Sequence, residues 1–417
     1  AHRFAQSEKK TCRLCKTGYA FTMIERTITP IVQQLGKQYP VVTVTGPRQS
    51  GKTTLCRAIF PNKPYVNLEA PDVRRFALED PRGFLAGYPD GAVLDEIQRA
   101  PELLSYIQPL IDERQQAGQY ILTGSQQFEV IEGVSQSLAG RTALVKLLPF
   151  SVQELQPAQQ SIHSIDLQIL TGFMPRIYDW DLNPSEALSG YFETYVERDI
   201  RRLAAVRDLT LFERFVRLCA GRVGQLLNLQ SLAADVGVSH TTARAWLTLL
   251  EASFLVFLLP PWFTNTRKRL VKSLKLYFYD VGLAAWLLGL ETENQVSRDP
   301  LRGNLFENLV VLEVLKHRFN QGKRSNLSFF RDSRGNEVDL ILEFGADLLP
   351  LEIKSGATVN ADFFKSLSYF KSLGKSQPWE SALVYGGSGQ QRRSGVHVLP
   401  IDRLHPFCDQ VAADALK

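Results

Sequence analysis

No stretch of the sequence is apolar for long enough to cross a bilayer. The longest apolar run, Phe254 to Phe263, spans ten residues and includes two prolines, whereas a membrane-spanning helix needs about 20 apolar residues. Cysteine is also scarce, with five scattered residues in 417. An odd, dispersed set excludes a disulfide scaffold and indicates a reducing compartment. We therefore expect a cytoplasmic protein with no membrane partner.

Net charge is small once the first 22 residues are set aside. The whole chain carries +5, of which residues 1–22 contribute +4. This segment holds Cys12 and Cys15, a CxxC pair with no second pair and no nearby His pair to complete a zinc site. We interpret residues 1–22 as an upstream extension outside the fold, which then begins near Met23. A mitochondrial-type presequence is the alternative.

The clearest motif follows an apolar, β-branched run at residues 41–44. The segment GPRQSGKT, residues 46–53, matches G-x-x-x-x-G-K-[ST] at every fixed position. Glycines let the backbone wrap a phosphate chain, and the helix that follows presents its positive N-terminus. Lys52 is expected to reach the β and γ phosphates, and Thr53 to ligate Mg²⁺. The predicted nucleotide-binding residues are Gly46, Pro47, Arg48, Gln49, Ser50, Gly51, Lys52, Thr53 and Thr54.

A second apolar strand, GAVLDEIQ at residues 91–98, ends in two acids. Asp95 is expected to hold Mg²⁺, directly or through water, and Glu96 to polarise the attacking water as general base. A helix N-cap is the alternative interpretation of these acids. Thr123 and Ser125 end the next predicted strand, where they would contact the γ-phosphate or the water, unless they form an ordinary turn.

Arg141, in the segment SLAGRT, precedes the last predicted strand of this half of the chain. One interpretation is an arginine finger offered to a neighbouring subunit, which would require at least a dimer and therefore predicts a homo-oligomer. The other is a surface arginine paired within its own domain. Strands alternate with helices up to residue 148, which predicts an α/β fold with a parallel sheet and helices on both faces.

Residues 228–262 show a helix, a turn at Gly237, a second helix and a strand, and a second strand candidate ends at Asp280. This is the order of a winged helix. We predict that it grips DNA backbone phosphates through basic residues. These are Arg267, Lys268, Arg269, Lys272 and Lys275. A winged helix used only for packing or coupling is the alternative. A charged turn at residues 198–202 is expected to be a solvated helix face.

The C-terminal part combines a helix carrying Glu307 with three strand-like runs and a final helix. Residues two apart on a strand share a face, so Glu352 and Lys354 should project together beside Asp339 on a neighbouring strand. Two carboxylates and a lysine suit Mg²⁺-dependent phosphodiester cleavage, in which the acids hold the metal and the lysine positions the nucleophile. Glu307 could reach the same pocket. A charged strand at a sheet edge is the alternative.

Together these motifs resemble prokaryotic AAA-like ATPases fused to a C-terminal domain of unknown function with a restriction-endonuclease-like fold. The similarity runs from about Met23 to Leu373, and its motifs include VTGPRQSGKTTL, VLDEIQRAPELL, SLAGR, GNLFENLVVLEVLK and LEIKS. The segment TGFMPRIY, residues 171–178, departs from the family's usual pair of glycines before Phe-Pro. We divide the chain into an ATPase domain (23–158), a helical connector (159–222), a winged helix (223–299) and the endonuclease-like domain (300–417).

The resemblance implies that the nucleotide is ATP, that Thr123 or Ser125 is a sensor, and that Arg141 is a typical arginine of the ATPase core. It also implies a PD-(D/E)xK nuclease pattern, made by Glu307, Asp339, Glu352 and Lys354. The leading hypothesis is an ATP-driven, DNA-directed machine with a nuclease-like domain. The alternative is a nucleotide-gated switch or scaffold whose C-terminal domain binds nucleic acid or protein without cleaving it, which the nearly neutral body of the chain favours.

Overall fold

The structure is a computed structural model that describes residues 23–125, 137–156, 164–195, 206, 208–262, 272–373 and 380–415. Several sequence predictions fall outside these residues. They are the Cys12–Cys15 pair, the charged turn at 198–202 and the basic residues Arg267, Lys268 and Arg269. Within the described part of the chain, no helix is long and apolar enough to span a membrane.

The first domain is built on a five-stranded parallel sheet in the order β2-β3-β4-β1-β5. Its strands are Val41–Thr45 (β1), Tyr65–Asn67 (β2), Val93–Asp95 (β3), Tyr120–Gly124 (β4) and Thr142–Lys146 (β5). Its helices are Thr29–Gly36 (α1), Lys52–Ile59 (α2), Pro71–Glu79 (α3), Pro81–Ala86 (α4) and Leu103–Arg114 (α5). This is the predicted α/β fold of a P-loop nucleoside-triphosphatase, so that prediction is confirmed.

Alternate residues of the central strands enter two separate cores. Val41 and Leu122 pack with α4 and α5 on one face, whereas Val42 and Ile121 pack with α1 and α2 on the other. Every residue of β1 is buried, as expected for a parallel strand covered on both faces. Ligands of such sheets bind beyond the carboxyl ends of the strands, and the predicted nucleotide site lies at that edge.

The described residues between the first domain and the C-terminal sheet form helices and one antiparallel pair of strands. Its helices are Val152–Leu155 (α6), Ile165–Thr171 (α7), Pro175–Asp179 (α8), Pro184–Tyr195 (α9), Leu209–Ala220 (α10), Leu229–Val236 (α11), His240–Ala252 (α12), Val281–Leu287 (α13) and Glu293–Arg298 (α14). Strand Val256–Leu259 (β6) pairs with Lys275–Phe278 (β7). Gly237 ends α11 with φ 91°, and the Ser239 hydroxyl caps α12. Helix, turn, helix and two strands therefore follow in the expected order.

The C-terminal part is a second α/β unit, built on a six-stranded sheet in the order β12-β13-β11-β10-β9-β8. Its strands are Leu327–Arg331 (β8), Glu337–Phe344 (β9), Asp347–Lys354 (β10), Ala382–Tyr385 (β11), Gln391–Arg393 (β12) and Val396–Leu399 (β13). Its helices are Arg302–Asn320 (α15), Lys365–Ser372 (α16) and Leu404–Ala415 (α17). Short 3₁₀ turns cover Ile97–Arg99, Ala361–Phe364 and Ile401–Arg403. The sequence analysis identified β8, β9 and β10 but not the three later strands.

One hydrophobic core extends from the end of the first domain into the C-terminal sheet. It contains Leu148 and Phe150, the buried face of α12, and most of α15. Helix α15 is buried on nearly all sides, which explains why its sequence has no clear polar stripe. Because this core crosses the predicted boundaries after residues 158, 222 and 299, the division into four domains stays a prediction.

Candidate functional site

The loop between β1 and α2 has the backbone that a phosphate cradle needs. Gly46 and Gly51 have φ values of 153° and 89°, and a Cβ on Gly46 would lie 2.0 Å from the Leu147 carbonyl oxygen. Lys52 begins α2, and its ammonium donates to the carbonyls of Gly46 (3.0 Å) and Pro47 (2.7 Å). Burial lowers the pKa of Lys52, while Glu96 and Asp95 oppose that shift.

Asp95, the last residue of β3, is the point where three neighbouring elements meet. Thr53 from α2 donates to its carboxylate at 3.0 and 3.2 Å, and Tyr65 from β2 donates at 2.6 Å. The Thr123 hydroxyl at the end of β4 makes a third hydrogen bond. The structure thus brings together Thr53, Asp95 and Thr123, which the sequence analysis named. It adds Tyr65, whose only signal was its place in a short strand.

Glu96 lies one residue beyond β3 in a left-handed conformation, with φ 59°. Its backbone N–H donates to the Thr123 hydroxyl (3.2 Å), and its carboxylate accepts from the Ser125 hydroxyl (2.9 Å) and from the amide of Gln98. Burial favours the neutral carboxyl, but Lys52, Gln98 and Arg48 together lower the pKa of Glu96. Glu96 occupies the N-cap position of the following 3₁₀ turn, but its side chain makes no capping hydrogen bond to that turn. Gln98 was missed, although it belongs to the same motif.

The remaining predicted residues of the loop lie around its rim. Arg48 is 3.8 Å from the Glu69 carboxylate, and Arg99 lies 3.9 Å from the same group. Gln49 has a positive φ of 59°. The Ser50 hydroxyl is buried and has no hydrogen-bond partner among the described residues, and Thr54 is exposed on α2.

Arg141 and the phosphate loop lie at opposite ends of the parallel strands. Strand register pairs Val41 with Thr142 and Thr45 with Lys146, so Arg141 adjoins the beginning of β1 whereas the loop follows its end. Its guanidinium pairs with Asp112, with Nε–Oδ1 2.5 Å and Nη2–Oδ2 2.9 Å. Of the two predicted roles, this pairing matches a surface arginine that is paired within its own domain. As an arginine finger, Arg141 could act only on the site of a second subunit.

Asp339, Glu352 and Lys354 lie together on the adjacent strands β9 and β10. The Lys354 ammonium is 2.6 Å from Glu352 and 3.4 Å from Asp339, and Asp339 also accepts from the Ile353 N–H at 2.8 Å. Strand β10 lies between β9 and β11, and both carboxylates are buried. The edge-strand alternative is therefore wrong. Burial and the nearby Asp339 raise the pKa of Glu352 to about 8.

Glu307 has different partners from those expected. Its carboxylate accepts from the Lys275 ammonium (2.8 Å) and the Tyr277 hydroxyl (2.5 Å), both supplied by β7. Lys275 is also 2.5 Å from Glu337. Burial raises the pKa of Glu307 to about 7, with Lys275 opposing and Asp339 adding to the shift. Asp339 thus links this group electrostatically to the Lys354 group.

The position of Lys275 corrects one prediction and reveals residues that the sequence analysis missed. Its side chain is 2% exposed, so it cannot grip DNA phosphates from a basic wing; of that predicted set, Lys272 is exposed. Lys275 and Tyr277 share a face of β7, and this two-residue spacing was their only signal. Across the described chain, no group of three or more His, Cys, Asp or Glu side chains is arranged to hold a metal ion.

Comparison with known proteins identifies the family of this chain. Residues 38–156 match the model of an AAA domain, and residues 162–294 and 302–404 match two domains of unknown function, DUF8612 and DUF4143. Uncharacterized proteins of Mycobacterium tuberculosis and Mycobacterium bovis are 32% identical over 369 residues, which cover 88% of this chain and 81% of theirs. The chain belongs to their family. It is an AAA-like P-loop protein with a DUF4143 region at its C-terminus.

More distant similarities are weaker. An uncharacterized protein of Haemophilus influenzae is 24% identical over 214 residues, covering 48% of this chain and 52% of that protein. Among solved structures, the Walker-type ATPase of Pyrococcus abyssi has a TM-score of 0.44 at 16% identity, covering 64% of this chain and 96% of its own. AMPPCP-bound DnaA from Aquifex aeolicus has a TM-score of 0.28 at 16% identity, covering 54% and 85%.

Proposed function

We propose that this AAA-like protein binds ATP with Mg²⁺ and hydrolyses it at the site between β1, β3 and β4. The observation that carries the proposal is the convergence of Thr53, Asp95 and Glu96 beside the glycine loop that holds Lys52. A hydroxyl and a carboxylate are hard oxygen donors of the kind Mg²⁺ prefers. The Ser50 hydroxyl within the loop is buried and has no hydrogen-bond partner among the residues that the structure describes, so it also suits a phosphate ligand.

Each residue has a distinct part in this proposal. Loop N–H groups and the Lys52 ammonium bind the phosphates, while Thr53 and Asp95 hold Mg²⁺, which when bound neutralises charge that develops on the phosphate oxygens. Glu96 accepts the proton of the attacking water. Its lowered pKa keeps it ionised at neutral pH, as a base requires. Ser125 donates to the Glu96 carboxylate and so orients it.

Phosphate release from ATP tests this proposal directly. We expect the wild-type protein to hydrolyse ATP in the presence of Mg²⁺ and Lys52→Ala to lose the activity while it keeps its fold. Arg392→Lys serves as a matched control, because it changes a cation that is 64% exposed on β12, outside the nucleotide site. Turnover by Lys52→Ala at the wild-type rate would contradict the assignment of the loop.

For the C-terminal part we propose a metal-dependent nuclease of the PD-(D/E)xK type that acts on DNA. Asp339 and Glu352 would hold Mg²⁺, and Lys354, which contacts both, would position the nucleophile. The second Glu352 oxygen is buried and has no hydrogen-bond partner in the described chain, so it is free to bind a cation. Together with the α12 helix and the neighbouring β6–β7 pair, this would make an ATP-driven machine that acts on DNA.

A second candidate is a nucleotide-gated scaffold, and the buried lysine favours it. Lys275 pairs with Glu307 and Glu337, and Lys354 pairs with Asp339 and Glu352. The negative charge of carboxylates that a nuclease would use to bind a metal is thus balanced by lysine ammonium groups of the same chain. In this alternative the cluster joins the β6–β7 pair to the C-terminal sheet and the domain binds its partner without cleaving it.

A cleavage assay separates the two candidates. Branched, single-stranded and duplex DNA would be incubated with the full chain and Mg²⁺ or Mn²⁺, with and without ATP. Cleavage that disappears in both Asp339→Ala and Lys354→Ala supports the nuclease. Absence of cleavage from a preparation that still hydrolyses ATP supports the scaffold.

A further inference from the structure

Arg26 connects the phosphate loop to the segment that leaves the ATPase sheet. Its guanidinium donates to the Ser50 carbonyl (2.7 Å), the Leu148 carbonyl (2.6 Å) and the Glu154 carboxylate (3.1 Å). It also lies over the Phe150 ring, 4.9 Å from the ring centre. The Arg26 side chain is 8% exposed and that of Glu154 is 1% exposed. A buried, bridging guanidinium with three acceptors fixes geometry that a single-point cation cannot reproduce.

Glu154 holds the other end of this bridge. Beyond Arg26, its carboxylate accepts from the backbone N–H groups of Thr27 (2.8 Å) and Ser151 (2.9 Å). These bonds satisfy both oxygens of a buried acid and join the chain entering the ATPase domain to the chain leaving it. The position of the Ser50 carbonyl therefore depends on the position of residues 148–154.

The opposite side of the same segment is fastened to α15. The Glu313 carboxylate accepts from the Val152 N–H (2.9 Å), and the Lys316 ammonium donates to the Phe150 carbonyl (2.7 Å) and to Glu313 (2.8 Å). His405 of α17 donates from its ring Nε2 to the backbone carbonyl of Glu313 at 2.9 Å. Glu313 and Lys316 are each 1% exposed. Residues 148–154 thus contact the loop through Arg26 and the C-terminal part through Glu313 and Lys316.

We propose that Arg26 is a positioning residue that couples the phosphate loop to α15, so that nucleotide binding tightens the packing of the C-terminal part. The inference rests on nucleotide binding at this loop. A nucleotide fixes the loop, and Arg26 passes that restraint from Ser50 to residues 148–154 and from there to Glu313. Without the guanidinium, the loop loses one of its supports and its binding-competent conformation becomes less populated.

The test compares wild type, Arg26→Lys and the control Arg392→Lys, an exposed position on β12, using ATPγS with Mg²⁺ as the probe. Affinity comes from a binding titration, and coupling from amide hydrogen exchange in the loop and in α15. We expect Arg26→Lys to bind about tenfold more weakly, because hydrogen bonds from a charged group are lost. At saturating nucleotide its loop should still be protected, whereas the nucleotide-induced protection of α15 should disappear. If the role of Arg26 were merely structural, its substitution would change the protection of the loop and the protection of α15 together.

The outcomes are distinct. If Arg26→Lys binds nucleotide as tightly as wild type and its α15 is protected to the same extent, the coupling is overturned. It is also overturned if nucleotide does not change hydrogen exchange in α15 of the wild-type protein. If wild type itself does not bind ATPγS, the proposed nucleotide site is wrong and the coupling falls with it. If Arg26→Lys does not fold, Glu313→Gln tests the coupling from the α15 side. It should keep loop affinity and lose the α15 response, and an unchanged α15 response would overturn the proposal.

Discussion

The Thr53 hydroxyl donates a hydrogen bond to Asp95, with an Oγ1–Oδ2 distance of 3.0 Å. This bond joins the first turn of α2 to the end of β3, although the two residues are 42 positions apart in the chain. Tyr65 and Thr123 donate to the same carboxylate. Three hydroxyl groups from three elements therefore hold one acid at the carboxyl edge of the sheet, where a metal-bound phosphate would meet it.

Thr53→Ala should reduce ATP hydrolysis and raise the Mg²⁺ concentration needed for half-maximal activity. The variant removes one oxygen donor and leaves Asp95 to hold the metal without it. We expect a loss of at least about tenfold, by analogy with the removal of a hydrogen bond to a charged group. Thr53→Ser keeps the hydroxyl and serves as the control. A Mg²⁺ titration of phosphate release checks this, and equal curves for Thr53→Ala and wild type would exclude Thr53 as a ligand.

Glu96→Gln should bind ATP with Mg²⁺ and hydrolyse it about 10²–10⁴ times more slowly, the usual contribution of a positioned general base. The substitution keeps the size of the side chain and its acceptor for Ser125. Binding measured by titration should therefore match wild type, whereas single-turnover hydrolysis should be slow. A fast single turnover would move the role of base away from Glu96.

Local motifs account for the parts of both sites that the sequence could predict. Residues 46–53 and Asp95–Glu96 are short patterns whose spacing follows from the chemistry of phosphate binding. Glu352 and Lys354 follow from the alternation of a strand, and their position beside Asp339 needs only that β9 and β10 be neighbours. These predictions required no knowledge of how distant elements pack.

The partners supplied by distant elements could not be predicted in the same way. Lys275 reaches Glu307 from 32 residues away because β7 packs against α15, and its run of basic neighbours indicated a solvent-exposed wing. Arg26 meets Glu154 across 128 residues. Such contacts depend on tertiary packing, which neither composition nor periodicity specifies.

Lys275→Met should destabilise the protein by about 3–5 kcal/mol, because it leaves Glu307, whose side chain is only 13% exposed, without its counter-ion. Glu337 keeps its pair with Arg331. Lys365→Met is the control, since Lys365 is 77% exposed and its pair with Asp362 lies in solvent; we expect a change within about 0.5 kcal/mol. Urea unfolding of both variants measures the difference. The double variant Lys275→Met/Glu307→Gln should recover part of the loss, and equal stabilities of the two lysine variants would contradict the pairing.

Gly172→Ala should destabilise the connector by about 2–4 kcal/mol. Gly172 has φ 66° and ψ −159°, a region that is nearly restricted to glycine. An added Cβ would also lie 2.3 Å from Asp280 Oδ1, and that carboxylate accepts from the Phe173 N–H at 2.8 Å. Gly289→Ala is the matched control, because Gly289 also has a positive φ but no described residue lies within 4 Å of the new Cβ; its cost should be about 1–2 kcal/mol. Equal losses in the two variants would mean that the contact with Asp280 contributes nothing.

Acid should weaken the packing of α17 against α15 through His317. Burial and the nearby His405 lower the pKa of His317, although Asp409, 2.8 Å away, opposes the shift. Below the ordinary pKa of 6.5, the unfolded chain therefore binds more protons at this position than the folded chain does. The free energy of unfolding then rises with pH and falls as the pH drops below about 6.5.

Replacing His317 by Gln should make stability less sensitive to acid in that range. Urea unfolding at pH 7.5 and 5.5 should show a smaller decrease for His317→Gln than for wild type, because the substituted side chain does not titrate. His240→Gln, an exposed position at the start of α12, should keep the wild-type decrease. If His317→Gln and wild type lost the same stability between the two pH values, the acid sensitivity would have to come from other groups.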